Sequence, residues 1–149
     1  MSDPNARGIF RAGVGRDNVP EDEAQALNIK VCYPSADTVK TIFDETASYT
    51  VHLILRMLYR NLGNLDEWKK EKREEISQKT VLILGMGNIG RLVKKKLENI
   101  LKIKTFDVLQ NTDDELQTLF SEADCLTVHI PNSPENDSFI DSEKLSWLK

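Results

Sequence analysis

The chain has 149 residues, 24 acidic against 20 basic, with a formal net charge of −4 and a pI near 5.3. That length allows one ordinary domain or two small pieces, and the acidic balance argues against nucleic acid or an anionic membrane as the main partner. No apolar run approaches the roughly 20 residues that span a bilayer, and the polar start M-S-D-P-N-A-R-G is unlike a signal peptide, so a cytoplasmic location is the default expectation.

Residues 8–12, G-I-F-R-A, read as a short strand. Residues 13–20, G-V-G-R-D-N-V-P, read as a glycine-rich loop with an Asp-Asn turn signal. Pro20 followed by Glu21, Asp22 and Glu23 starts a short helix, because proline suits the first turn and acids suit the positive end of the helix dipole. Asn28 ends it. Residues 29–33, I-K-V-C-Y, alternate as a strand, and Pro34 stops it. Asp37 or Thr38 is expected to cap the next element. Val39, Ile42, Phe43, Ala47, Val51, Ile54, Leu55 and Leu58 then fall at three- and four-residue steps. This spacing predicts one long amphipathic helix over about residues 38–61, with Gly63 past its end. Residues 64–79 are charge-dense around a lone Trp68. They read as a solvated linker, or as an arm that Trp68 docks onto another subunit or domain.

Thr80–Gly90, T-V-L-I-L-G-M-G-N-I-G, is the stretch around which the rest is organised. A β-branched and leucine run meets three glycines and then an amphipathic helix over about residues 91–101. Strand, glycine turn and helix in this order are suited to holding the diphosphate of a dinucleotide. Gly85 is expected to take the tight turn, Gly87 to let the backbone approach the diphosphate, and Gly90 to let the helix lie close on the strand. Open N–H groups at the helix start would face the negative charge. Ile89, Leu92, Val93, Leu97 and Ile100 form the sheet-facing stripe; Arg91 and Lys94–Lys96 form the wet face, the lysines serving solubility.

Residues 102–106, K-I-K-T-F, make the next strand, which ends in Asp107. An acid there can accept hydrogen bonds from the adenosine ribose hydroxyls and repel a 2′-phosphate, which favours NAD over NADP. The plainer alternative is an ordinary strand-end carboxylate. Asp113, Asp114 and Glu115 start a short helix through Phe120. Residues 123–130, A-D-C-L-T-V-H-I, form a third strand closed by Pro131, followed by a loop and a helical turn over about residues 141–148. Alternating strands and helices predict an α/β fold with a parallel sheet from residue 80 onward.

Other chemistry is sparse. Cys32 and Cys125 sit in apolar runs and read as buried, reduced thiols, and no metal-ligand spacing occurs. His52 lies in the long helix and reads as a surface or half-buried residue. His129 lies at the carboxyl end of the third strand, where ligands bind in such sheets; with no acid clearly placed to orient it, a structural or cofactor-lining role is favoured over a catalytic one. Arg11 either meets an anion or is a satisfied surface charge.

The order of these motifs resembles the D-isomer-specific 2-hydroxyacid dehydrogenases. R-A-G-V-G-R-D-N-V-P at 11–20 looks most like the loop of the family's 3-phosphoglycerate-acting branch. D-T-V-K-T-I-F-D-E-T-A at 37–47 resembles the start of the interdomain helix, with Glu45 and Arg56 at the family's glutamate and arginine. G-M-G-N-I-G resembles the nucleotide turn, and A-D-C-L-T-V-H-I-P-N-S-P-E-N at 123–136 resembles the family's A-D…H-x-P-x-x-P-E segment. The resemblance implies the first half of a Rossmann-type parallel sheet, preceded by part of a flavodoxin-like substrate domain. The implied division is 1–62 for the substrate side, 63–79 for the linker and 80–149 for the NAD side. It implies hydride transfer between NAD and a small D-2-hydroxy or 2-oxo acid, in a parent that is a homodimer. Carried over by position, Asn88 and Ile89 meet the diphosphate with Gly85, Gly87 and Gly90, Asp107 the ribose, and Ile130 the adenosine side. Val14 meets substrate carboxylate and nicotinamide through its backbone, with Gly13 and Gly15 beside it on the substrate.

There are departures. Position 35 is Ser where the family often has Gly, residues 38–45 carry about two extra residues, and the chain is short after Asp107. The family's catalytic arginine, glutamate and acid–base histidine fall past Lys149, so no catalytic residue is assigned. The expectation is a piece truncated at both ends and inactive by itself. A half sheet with an open edge and apolar face would be poorly stable or would associate. The rival expectation is a non-enzymatic NAD-binding or interaction module of the same fold.

Overall fold

The structure, a computed structural model, describes residues 7–59, 66–68 and 75–148. Gly63 and half of the charged 64–79 stretch lie outside these residues. The chain divides into two compact units, Met1–Phe43 and Asp44–Lys149.

In the first unit, β1 (Gly8–Phe10) pairs in parallel with β2 (Lys30–Cys32), connected through helix α1 (Glu21–Ala26). The acids Glu21, Asp22 and Glu23 occupy the first turn of α1. The helix ends one residue earlier than expected, leaving Leu27 exposed, and Asn28 takes φ +55° to turn the chain into β2. Asparagine tolerates this left-handed conformation better than most residues.

Helix α2 (Ala36–Leu58) starts two residues before its expected bound. The cap is Ser35, not Asp37 or Thr38: its Oγ accepts from the Thr38 N–H at 3.3 Å and lies 2.9 Å from Thr38 Oγ1. Serine at this place satisfies one of the helix's unpaired donors, which gives the departure at position 35 a physical role.

The second unit is a three-stranded parallel sheet in the order β4–β3–β5, formed by β3 (Thr80–Leu84), β4 (Lys102–Phe106) and β5 (Cys125–Val128). Every residue of β3 is buried, as expected of a central parallel strand covered on both faces. Successive side chains point to opposite faces, so β3 serves two half-cores. Val81 and Ile83 join Ala47, Ile54, Val93, Leu97, Leu101 and Cys125, under α2 and α3 (Asn88–Leu97). Leu82 and Leu84 join Phe106, Leu116, Phe120 and Ala123, with α4 (Asp113–Glu122) on that face. Trp147, just past α5 (Ser142–Ser146), meets Phe120 edge-on with centroids 5.8 Å apart.

One stripe position is corrected. Ile100 is 40% exposed, while Leu101 is buried. Helix α3 stops at Leu97, and the following turn breaks the helical spacing that would have aimed Ile100 at the sheet. Two charged pairs tie the layers, Lys96 to Asp44 at 2.8 Å and Lys104 to Glu122 at 3.1 Å; such partly exposed pairs contribute little individually. No described helix is long and apolar enough to cross a membrane.

Candidate functional site

The chain runs from β3 to β4 on one side and later to β5 on the other, both parallel to β3. The order of the strands therefore reverses at β3, and its carboxyl end is the place where open α/β sheets bind ligands. The glycine turn lies at that end.

Each glycine has a distinct reason. Gly85 has φ +88°, and a Cβ there would lie 2.7 Å from the His129 carbonyl oxygen. Both the backbone conformation and the closeness of the β5 end demand glycine. A Cβ on Gly90 would lie 2.0 Å from the Gly85 carbonyl oxygen and 3.4 Å from Ile83 Cγ2, so helix and strand approach with no room for a side chain. At Gly87 the opposite holds: a Cβ would meet nothing within 4 Å. Nothing in the protein's own packing asks for glycine here; an open backbone suits close approach by an external group.

Gly87 is also the cap residue of α3, and no side chain caps that helix. The first N–H groups of a helix lack intrahelical partners and sit at the positive end of the dipole. Asn88 is exposed at the first position of α3, whereas the Ile89 side chain packs on the core. The residues present thus fit an anionic group such as a dinucleotide diphosphate.

Asp107 follows β4 and faces the turn. Its Oδ1 accepts from the Leu109 N–H at 3.0 Å and its Oδ2 from the Met86 N–H at 2.8 Å. These bonds, with the nearby Arg91 guanidinium, hold its carboxyl below the usual carboxylate range, so it is ionised at neutral pH. A carboxylate has about four lone-pair directions, and two remain for ribose hydroxyls. The acid thus braces the turn as well as presenting a charge, which its strand-end position alone does not reveal.

Ile130 lies beside the turn: its backbone nitrogen would be 3.0 Å from a Cβ on Gly85, and its side chain packs on the half-core of Leu82 and Leu84. The His129 N–H donates to the Leu84 carbonyl at 2.7 Å. Its ring Nε2 lies 3.0 Å from Thr127 Oγ1, and burial holds its pKa below the ordinary 6.5. The ring is therefore neutral at pH 7 and oriented by a hydroxyl. The i, i+2 spacing of Thr127 and His129 was the sequence signal for that partner.

The structure thus brings Gly85, Gly87, Asn88, Ile89, Gly90, Asp107 and Ile130 to one sheet edge. At the far end of the sheet, Asp124 Oδ2 accepts from the Thr80 N–H at 2.8 Å and Thr80 O accepts from the Asp124 N–H at 2.9 Å. Sequence reasoning missed this role; the signal was an acid directly before a strand.

Gly13, Val14 and Gly15 belong to the loop of the first unit. That loop is braced from within. Arg11 Nε donates to Asn18 Oδ1 at 3.1 Å, and its guanidinium lies over Gly13, where a Cβ would be 2.7 Å from an Arg11 nitrogen. Arg16 stacks 4.2 Å over the Tyr33 ring, whose hydroxyl bonds Glu21. Val14 is partly exposed between the two glycines. His52 and Glu45 lie on exposed positions of α2, His52 stacked with Tyr49 at 6.3 Å. Cys125 is buried, and burial pushes its thiol pKa up; Cys32 is half-buried, and both thiols are free.

A parallel strand, an open glycine turn, a helix start and an acid at the reversal of strand order define a Rossmann-type dinucleotide-binding sheet. The family model for the D-isomer specific 2-hydroxyacid dehydrogenase, NAD binding domain, matches residues 51–149, and the chain belongs to that family. Hydroxypyruvate reductase of Thermotoga maritima is 30% identical over 156 residues, covering 97% of this chain and 51% of that protein. D-3-phosphoglycerate dehydrogenase of Synechocystis is 31% identical over 156 residues, covering 95% of this chain and 28% of that protein. Among solved structures, the NAD+-bound 3-phosphoglycerate dehydrogenase of Entamoeba histolytica superposes with a TM-score of 0.68 at 25% identity, over 98% of this chain and 46% of that one. The NAD-bound formate dehydrogenase of Staphylococcus aureus gives 0.69 at 27% identity, over 98% and 48%. The chain spans about half the length of the hydroxypyruvate reductase and glycerate dehydrogenase it matches, and less than a third of the phosphoglycerate dehydrogenases.

Proposed function

We propose that this chain supplies the NAD site of a dehydrogenase that interconverts a small D-2-hydroxy acid and its 2-oxo acid, with 3-phosphoglycerate the preferred substrate class. The observation that carries the NAD site is Gly87: an unobstructed glycine at an uncapped helix start, beside the ionised Asp107. Gly85, Gly87, Asn88, Ile89 and Gly90 hold the diphosphate through backbone. Asp107 holds the ribose, and Ile130 lines the adenosine side. Bound NAD supplies the hydride acceptor.

The R-A-G-V-G-R-D-N-V-P loop and the phosphoglycerate dehydrogenase relatives support the substrate class. Gly13, Val14 and Gly15 are the substrate contacts, through backbone N–H groups on a loop that Arg11 and Arg16 brace. By itself the chain binds cofactor without turnover: its His129 is neutral and oriented by Thr127 rather than by a carboxylate, which suits a lining role better than proton transfer. A homodimer of the whole protein draws support from Tyr49, Leu53 and Met57, which expose an apolar stripe on α2.

Titration with NADH and NADPH, followed by ligand fluorescence, tests the cofactor assignment. Tighter NADH binding is expected, because Asp107 repels a 2′-phosphate. No binding, or tighter NADPH binding, overturns it.

A further inference from the structure

Met86, between the first two glycines of the turn, is held on both sides. Its N–H donates to Asp107 Oδ2 at 2.8 Å, and its carbonyl accepts from Arg91 Nε at 2.7 Å. The two bonds act on the two peptide units flanking the Met86 Cα, so they restrain both of its free dihedrals. The second unit also carries the Gly87 N–H. In a trans peptide this N–H points away from the carbonyl, so tying the Met86 carbonyl to Arg91 turns the Gly87 N–H to the other side.

Arg91 needs a reason for its place. It lies in the first turn of α3, where the helix dipole disfavours a cation, whereas Lys94, Lys95 and Lys96 occupy the last turn, where cations are favoured. Solvation of a polar face accounts for the lysines. It does not account for an arginine at the positive end whose ε nitrogen reaches back five residues to a carbonyl in the turn.

We propose that Arg91 is a positioning residue of the cofactor site: with Asp107 it locks Met86 so that the Gly87 N–H faces the diphosphate before any dinucleotide arrives. The inference rests on the NAD reading of this turn. Arg91 acts through the donor at its ε position rather than through its charge, and Asp107 has a second duty besides the ribose.

Two substitutions separate donor from charge. Arg91→Gln places an uncharged amide nitrogen at the ε position; Arg91→Lys keeps the charge but has a methylene there. Both lie on the exposed side of α3, so neither removes core packing. Two quantities are read for each: the NADH dissociation constant, and the hydrogen-exchange rates of the Met86 and Gly87 amides by NMR without ligand. Arg91→Lys is expected to weaken NADH binding about fivefold, the effect of losing one hydrogen bond worth roughly 1 kcal/mol, and to speed exchange by a similar factor. Arg91→Gln is expected to stay within about twofold of the parent in both. The reverse order, with Lys retaining and Gln losing affinity, means that charge attraction acts instead and overturns the proposal. So does exchange that ignores both substitutions. A parent chain that binds no NADH, while exchange follows the expected order, overturns the NAD reading and leaves the Met86 lock standing.

Discussion

The carbonyl oxygen of Gly85 occupies the space that a side chain on Gly90 would need: a Cβ there would lie 2.0 Å from it. Gly90→Ala must therefore push α3 away from the end of β3, disturbing Val93 and Leu97 in the half-core beneath. Overpacking of this kind costs roughly 1–3 kcal/mol. Urea unfolding should show that loss, and an unchanged midpoint would show that the close approach is not real.

Gly87→Ala is the complementary substitution. The residue has φ −73°, and its added Cβ meets nothing within 4 Å. Stability is expected to stay within about 0.5 kcal/mol of the parent. The methyl group would instead crowd the diphosphate, raising the NADH dissociation constant about fivefold or more, equivalent to about 1 kcal/mol. Unaltered NADH affinity in a folded Gly87→Ala protein would place the diphosphate elsewhere.

His129 should leave a mark on the pH dependence of stability. Burial lowers its folded pKa from 6.5, so the unfolded chain takes up a proton at a higher pH than the folded one does. Stability from the neutral ring is present in full above the unfolded value. It is lost progressively as the pH falls from about 6.5 to the lowered folded value. An imidazole titration by NMR should give a midpoint below 6.5 for His129, and His129→Gln should flatten thermal stability across that window. A midpoint above 6.5 would mean that the ring is not desolvated.

Asp124 is predicted to matter for folding and not for cofactor. Its carboxylate accepts the backbone N–H of Thr80, a residue only 8% exposed, and lies 3.8 Å from Lys79 Nζ. Asp124→Ala removes the acceptor at the start of β3 and should cost about 1–2 kcal/mol by urea unfolding. NADH affinity, measured where the variant is folded, should not change, because the glycine turn is at the other end of the strand.

Local patterns were readable where the chain's own chemistry sets them. The limits of β4, the acidic start of α1 and the chain reversal at Asn28 all follow from period, charge and backbone preference within a few residues. The glycines at 85, 87 and 90 announced a turn for the same reason. Where several residues compete for one job, the pattern was ambiguous. Ser35, Asp37 and Thr38 are all good caps, and only the helix's actual first turn selected Ser35. Ile100 and Leu101 are both apolar, and the end of α3 at Leu97 decided which one enters the core.

By itself the sequence determined that a strand, a glycine turn, a helix and an acid occur in the order a dinucleotide site needs, because these signals are local and periodic. Tertiary structure alone decided the order β4–β3–β5, which puts the ends of β3 and β5 side by side and brings His129 against Gly85. The places of Gly90 and Gly87 in the motif already pointed to one packing and one open glycine; the tertiary structure added the distance, 2.0 Å from a Cβ on Gly90 to the Gly85 carbonyl oxygen. It also joined Asp107 to Met86 across 21 positions. Hydrogen bonds of that reach depend on how two strands and a helix are laid together, and no run of residues along the chain encodes them.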